Sequence, residues 1–143
     1  MSSRLLALVM PGQEPAALDA LCALAATARA ERARMRIACL RPLPPPRVDR
    51  YGRTVADVDR EMERITRTTI EQFTTAARAF DDLDVECVVR FGEPAEEARL
   101  EKEVFAPDLI ASFDARRESV AIRLRARLRR SLGTVRRRGW ASA

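Results

Sequence analysis

At 143 residues, with 47% hydrophobic and 33% charged side chains, the chain has the composition expected of one soluble globular domain, neither disordered nor membrane-embedded. Histidine is absent, which removes Ser-His and Cys-His nucleophile pairs, histidine general bases and most zinc sites. The net charge is +5, but ten arginines and one glutamate fall between Arg116 and Arg138, a net +9 that leaves −4 for the remainder. The expected molecule is a mildly acidic body with a strongly basic tail.

Residues 4–10 (RLLALVM) form a near-continuous apolar run stopped by Pro11 and Gly12, the pattern of a strand buried on both faces. The run is too short for a signal-peptide core and has no small-residue cleavage site, and no other run approaches the roughly 20 residues of a membrane span. A cytoplasmic protein is expected. Residues 15–33 place Leu18, Leu21, Cys22, Ala25 and Ala28 at helical spacing, with Pro15 suited to a first helical position. A second apolar run, residues 35–40, ends at Pro42, Pro44, Pro45 and Pro46, which cannot continue a strand ladder.

A loop containing Tyr51 and Gly52 follows. From Thr54, read as an N-cap, to about Phe80, apolar residues including Val58, Met62, Ile65, Phe73 and Ala76 step by three and four, which predicts one long helix over a sheet. Residues 81–84 turn the chain into a third strand over 85–91. Gly92 permits a tight turn, Pro94 starts a helix with Ala95, Ala98, Val104 and Phe105 inward, and Pro107 ends it before a fourth strand over 109–113. This alternation predicts an α/β fold: a doubly wound, Rossmann-like parallel sheet of about four strands, helices on both faces, in a single domain over 1–143.

In the basic tail, 116–143, Val120, Leu124, Leu128 and Leu132 recur every fourth residue, which predicts a final surface helix. Two readings of its arginines stay open. They form a solvated face, or Arg123, Arg125, Arg127, Arg129, Arg130, Arg136, Arg137 and Arg138 dock an acidic protein, nucleic acid or an anionic membrane. Cys22, Cys39 and Cys87 lie in apolar segments and read as core thiols. The acidic pairs Glu96-Glu97, Asp81-Asp82 and Asp57-Asp59 read as solvated, and Ser112 lacks the glycines of a nucleophile elbow. No catalytic constellation and no metal site is expected.

Three segments carry a family likeness. LLALVMPGQEPAALDAL, the proline-rich loop after MRIACL, and VVRFGEPAEEARLEKEVFAPDLIAS occur in the order and spacing of the universal stress proteins, which the chain resembles over residues 4 to about 113. The resemblance implies a homodimer, and ATP at the carboxyl ends of the strands. It also implies an acid after the first strand, where this chain has Pro11, and a glycine segment around the phosphates after the fourth, where it has Phe113, Asp114, Ala115 and Arg116. Gly133-Thr134 resembles the family's last glycine motif but follows Arg116 by sixteen residues, about two helical turns beyond the family spacing.

The family's fifth strand has no clear counterpart, so residues 134–140, the tail or a partner would cover the sheet edge. The resulting expectation is a non-catalytic, universal-stress-like regulatory or binding protein, homodimeric, without the usual ATP site. The alternatives are an ATP-binding protein with a rearranged site drawn from Gly12, Leu40, Gly133 and Thr134, or an arginine tail that binds nucleic acid or membrane.

Overall fold

A computed structural model of the chain describes residues 3–53 and 57–114, and the backbone of 121–124. The run after the amino terminus is strand β1 (Ser3–Val9). From Leu5 onward it is apolar because both of its faces are covered: Leu5, Ala7 and Val9 join one core cluster, Leu6 and Leu8 the other.

The single helix predicted over 15–33 is two, α1 (Glu14–Asp19) and α2 (Leu21–Ala30), interrupted at Ala20 where ψ is 1°. Arg32, at φ 51°, turns the chain, and β2 (Ala33–Arg41) starts two residues before the apolar run. Its first residues are recruited by parallel pairing with β1, Ser3 opposite Ala33 and Arg4 opposite Arg34. Ladder formation extends the strand beyond what hydrophobicity marks.

The long helix is α3 (Val58–Ala77), followed by a 3-10 turn, Arg78–Phe80. Thr54 lies outside the described residues. The cap is Asp57, whose carboxylate accepts the backbone N–H groups of Asp59 at 3.0 Å and Arg60 at 3.5 Å. A carboxylate suits this position twice over, as an acceptor for orphan N–H groups and as an anion at the positive end of the helix dipole. Of the expected apolar stripe only Phe73 is fully buried, with Thr69 beside it.

Strand β3 (Val85–Phe91), helix α4 (Pro94–Phe105) and strand β4 (Leu109–Phe113) fall where the sequence puts them. Glu93 caps α4 by accepting the Glu96 N–H at 2.8 Å, and the helix ends at Ala106 in the left-handed region, φ 49°, before Pro107. Gly92 has φ 154°, and a Cβ there would meet the Glu97 side chain at 3.1–3.2 Å. Gly92→Ala is therefore expected to destabilise the fold by more than about 1 kcal/mol in urea unfolding.

The sheet order is β3-β2-β1-β4 with all four strands parallel. Helices α1, α2 and α3 cover one face around Phe73, and α4 covers the other through Ala98 and Phe105. The doubly wound α/β architecture is as the alternation of elements predicts.

The edge beyond β4 corrects the sequence reading. Residues 121–124, assigned above to a final helix, form strand β5 (Ala121–Leu124), antiparallel to β4 with Ser112 opposite Ala121 and Leu109 opposite Leu124. A spacing of four is a multiple of two, so Val120 and Leu124 fit strand periodicity as well as a helix, and the unpaired edge of β4 decides between them. The fifth strand thus comes earlier than residues 134–140, and the rest of the predicted tail helix lies outside the described residues. A second correction concerns the thiols: Cys39 is buried and Cys87 half-buried, but Cys22 is exposed on α2. Among the described residues no helix is long and apolar enough to cross a membrane.

Candidate functional site

After β1 the chain winds outward through β2 and β3, then returns to the opposite side of β1 with β4. The carboxyl ends of β1 and β4 therefore flank a topological switch point, where an open α/β sheet leaves a crevice for ligands. Met10, Pro11, Gly12 and Gln13 build one lip. The Gln13 N–H donates to the Met10 carbonyl at 3.0 Å, Pro11 takes the second turn position, and Gly12, at φ 83°, takes the third. That is a type II turn, whose third position needs positive φ. The Met10 N–H donates to the Phe113 carbonyl at 3.0 Å, which carries the β1–β4 ladder one residue past Val9. Among the described residues no atom lies within 4 Å of a Cβ placed on Gly12, so this lip is open on their side.

Charge at this edge comes from a pair that the sequence did not reveal. Glu14, the first residue of α1 and buried, accepts from Arg41 Nη1 at the end of β2 at 2.6 Å. The Arg41 carbonyl in turn accepts the Gly92 N–H at 3.0 Å and ties the ends of β2 and β3 together. A helix amino end after the first strand is ordinarily an anion site. Here the first position carries the Glu14 carboxylate, the second is Pro15 without an N–H, and Arg41 is committed to Glu14. Asp114 follows β4 at the same edge.

Of the predicted site residues, Gly12 lies in the turn after β1 and Leu40 near the carboxyl end of the neighbouring β2, where Leu40 is fully buried in the α4-side core with Met10 packed against that cluster. Leu40 is a wall rather than a contact surface. Gly133 and Thr134 lie outside the described residues. Because β5 runs antiparallel, Leu124 pairs with Leu109 at the start of β4, so the described backbone ends at the amino edge, opposite Gly12.

Other ionisable groups are arranged for packing. Glu101 on α4 is fully buried and accepts Arg36 Nε and Nη2 at 2.8 and 2.9 Å and Arg90 Nη1 at 2.8 Å. Glu97, expected to be solvated, reaches Arg90 Nε at 3.1 Å, while Asp82 takes a two-pronged contact from Arg29 at the surface. An arginine on a strand two residues from another apolar position is a weak signal, and only the crossover that lays α4 over β2 and β3 brings these groups together. The Cys39 thiol is pushed up by its hydrogen bond to Cys87 and by burial, so it stays protonated. No group of three or more metal-ligating side chains occurs among the described residues.

One solved structure with the same architecture is the crystal structure of a universal stress protein in complex with cAMP. It matches with a TM-score of 0.50 over 98% of this chain and 86% of that one, at 18% sequence identity. The chain has the universal stress protein fold. No protein-family model matches the sequence, and no curated protein does. Within this universal-stress-like fold the segments that carry the sequence resemblance are β1 with its turn, the proline-rich loop after β2, and the β3–α4–β4 crossover.

Proposed function

We propose that this chain is a non-catalytic regulatory or binding domain of the cytoplasm that acts through protein contacts and does not hold ATP in the manner the family resemblance implies. The observation that supports this most is the link between β4 and β5. Residues 114–120, seven in all, separate Phe113 from the strand that returns antiparallel beside β4. They contain no glycine and include Asp114 and Glu118. A triphosphate needs a run of backbone N–H groups approached without Cβ atoms, which a link without glycine does not offer, and with Arg116 and Arg117 against its two acids the link carries no net positive charge to compensate. The lip opposite adds Glu14 and Pro15, which weaken the remaining anion site.

A second reading is supported by the solved structure of the same fold that carries cAMP. A ligand with one phosphate requires fewer N–H donors, and the open lip at Gly12 leaves room for it. A thermal-shift comparison of MgATP, AMP and cAMP separates the two: an unmoved midpoint with all three supports the first reading, and a rise with cAMP alone supports the second. A rise with MgATP refutes the first and favours the rearranged ATP site. The concentration of arginines in 116–138 supports a further contact with an anionic macromolecule, which would show as steeply salt-dependent retardation of nucleic acid.

A further inference from the structure

Strand β3 is one edge of the sheet, and its outer side is prepared for pairing. The Met35 N–H donates to the Asp84 carbonyl at 2.9 Å, and the Gly92 N–H donates to the Arg41 carbonyl at 3.0 Å. With Met35 opposite Val85 and Arg41 opposite Phe91, this parallel ladder turns the main-chain groups of Glu86, Val88 and Arg90 toward β2. Those of Val85, Cys87, Val89 and Phe91 therefore point away from the sheet, and among the described residues none has a main-chain partner. Natural edges of this length are usually guarded by charged side chains, lysine above all, by proline or by a bulge. Here seven residues, VECVVRF, contain no lysine, proline or bulge, and the two charged side chains, Glu86 and Arg90, are engaged with Arg36 and with Glu97 and Glu101. Six of the seven are half-buried and Glu86 is exposed.

We propose that this edge binds a second copy of the chain, β3 against β3 in antiparallel register about a twofold axis at Val88. The sequence is self-complementary in that register. Val85 faces Phe91 of the second copy, Cys87 faces Val89, and Glu86 faces Arg90, so each interface contains two opposite-charge pairs. Parity agrees: the four residues whose N–H and C=O groups point outward fall on the hydrogen-bonded positions, giving about eight new main-chain bonds. Glu86 and Arg90 fall on the non-hydrogen-bonded positions, where side chains come closest.

Both charged side chains remain partly exposed, 43% for Glu86 and 27% for Arg90, although they already bond to Arg36 and to Glu97 and Glu101. Shifting the axis by one residue, to Cys87, sets Asp84 rather than Glu86 opposite Arg90 and leaves Phe91 without an outward partner, so about six main-chain bonds form in place of eight. The twofold keeps both α3 helices on the same side of the joined sheet. Met62, Val89 and Phe91 line a groove with the charged Asp59, Glu63 and Arg67, so the α3 of a second copy would meet a mixed apolar and charged surface beside the strand. The other edge, β5, is only four residues long. The dimer stands independently of what the carboxyl-edge crevice binds.

Sedimentation velocity across a concentration series, with three full-length variants, tests it. Val89→Pro deletes an outward N–H without touching the bonds to β2 and is expected to weaken self-association by at least about tenfold, with circular dichroism unchanged. Val88→Cys places two thiols at the axis and is expected to form a disulfide-linked dimer with a mild oxidant, whereas Glu86→Cys, which faces Arg90, is not. A wild-type monomer at every concentration overturns the proposal. So does a dimer that survives Val89→Pro, or one in which Val88→Cys fails to cross-link. Efficient linkage through Glu86→Cys would refute the register.

Discussion

Replacing Glu101 by alanine is expected to destabilise the protein by about 3 kcal/mol or more, measured as a lowered urea midpoint at unchanged m-value. Glu101 is 0% exposed and accepts three guanidinium N–H donors from two arginines on adjacent strands. Its own burial is tolerable only because those donors satisfy both oxygens. Truncation leaves Arg36 and Arg90 facing one another beneath α4, at 18% and 27% side-chain exposure, with Glu86 and Glu97 as their remaining partners. Those two bonds hold the loss near the lower end of the range for broken buried pairs. Arg36 also lies over the Phe105 ring at 5.7 Å, so its displacement disturbs the apolar contact at the end of α4. Glu101→Gln, which keeps one acceptor oxygen and adds an amide donor facing guanidinium groups, should fall between wild type and alanine. A loss below about 1 kcal/mol for alanine would mean that the network contributes specificity rather than stability.

Phe73→Ala is expected to have a comparable effect, about 3–5 kcal/mol, from lost burial plus the cavity left behind. At 1% exposure Phe73 is the only large apolar side chain of α3 inside the core, where the sheet residues around it are fully buried. The other stripe residues, Val58, Met62 and Ile65, are half-buried, so they cannot hold the helix in place by themselves. Removing Phe73 should therefore detach α3 more than it disturbs the sheet. Hydrogen exchange is expected to accelerate along α3 while β1 and β2 stay protected. Uniform loss of protection across the sheet would contradict that division.

Much of the fold is legible because its signals are local. Pro11-Gly12, Gly92-Glu93-Pro94 and Pro107 each mark an end that steric constraints enforce, and the elements between them appear where hydrophobic periodicity puts them. The failures occur where tertiary pairing overrides local preference. Ala33 and Arg34 become strand because β1 offers a partner, and residues 121–124 become strand because β4 has an open edge. Asp57 rather than Thr54 caps α3, a difference of three residues that composition cannot resolve because both residue types cap well.

The candidate site was legible only as a place. The switch point follows from strand order, but its electrostatics depend on Glu14 meeting Arg41 across 27 residues of sequence, and the self-complementary edge of β3 emerges only when the β2–β3 register fixes which main-chain groups face outward. Glu97 and Glu101 belong to the same class. Both look like ordinary helix acids until the crossover sets them against strand arginines.

The most direct measurement is calorimetric titration of the full-length protein, purified without added nucleotide, with MgATP. A carboxyl edge that holds Glu14, Pro15 and Asp114 in place of a glycine loop predicts no saturable heat at micromolar or higher micromolar nucleotide. A saturating isotherm with micromolar affinity and a stoichiometry near one per chain would contradict it.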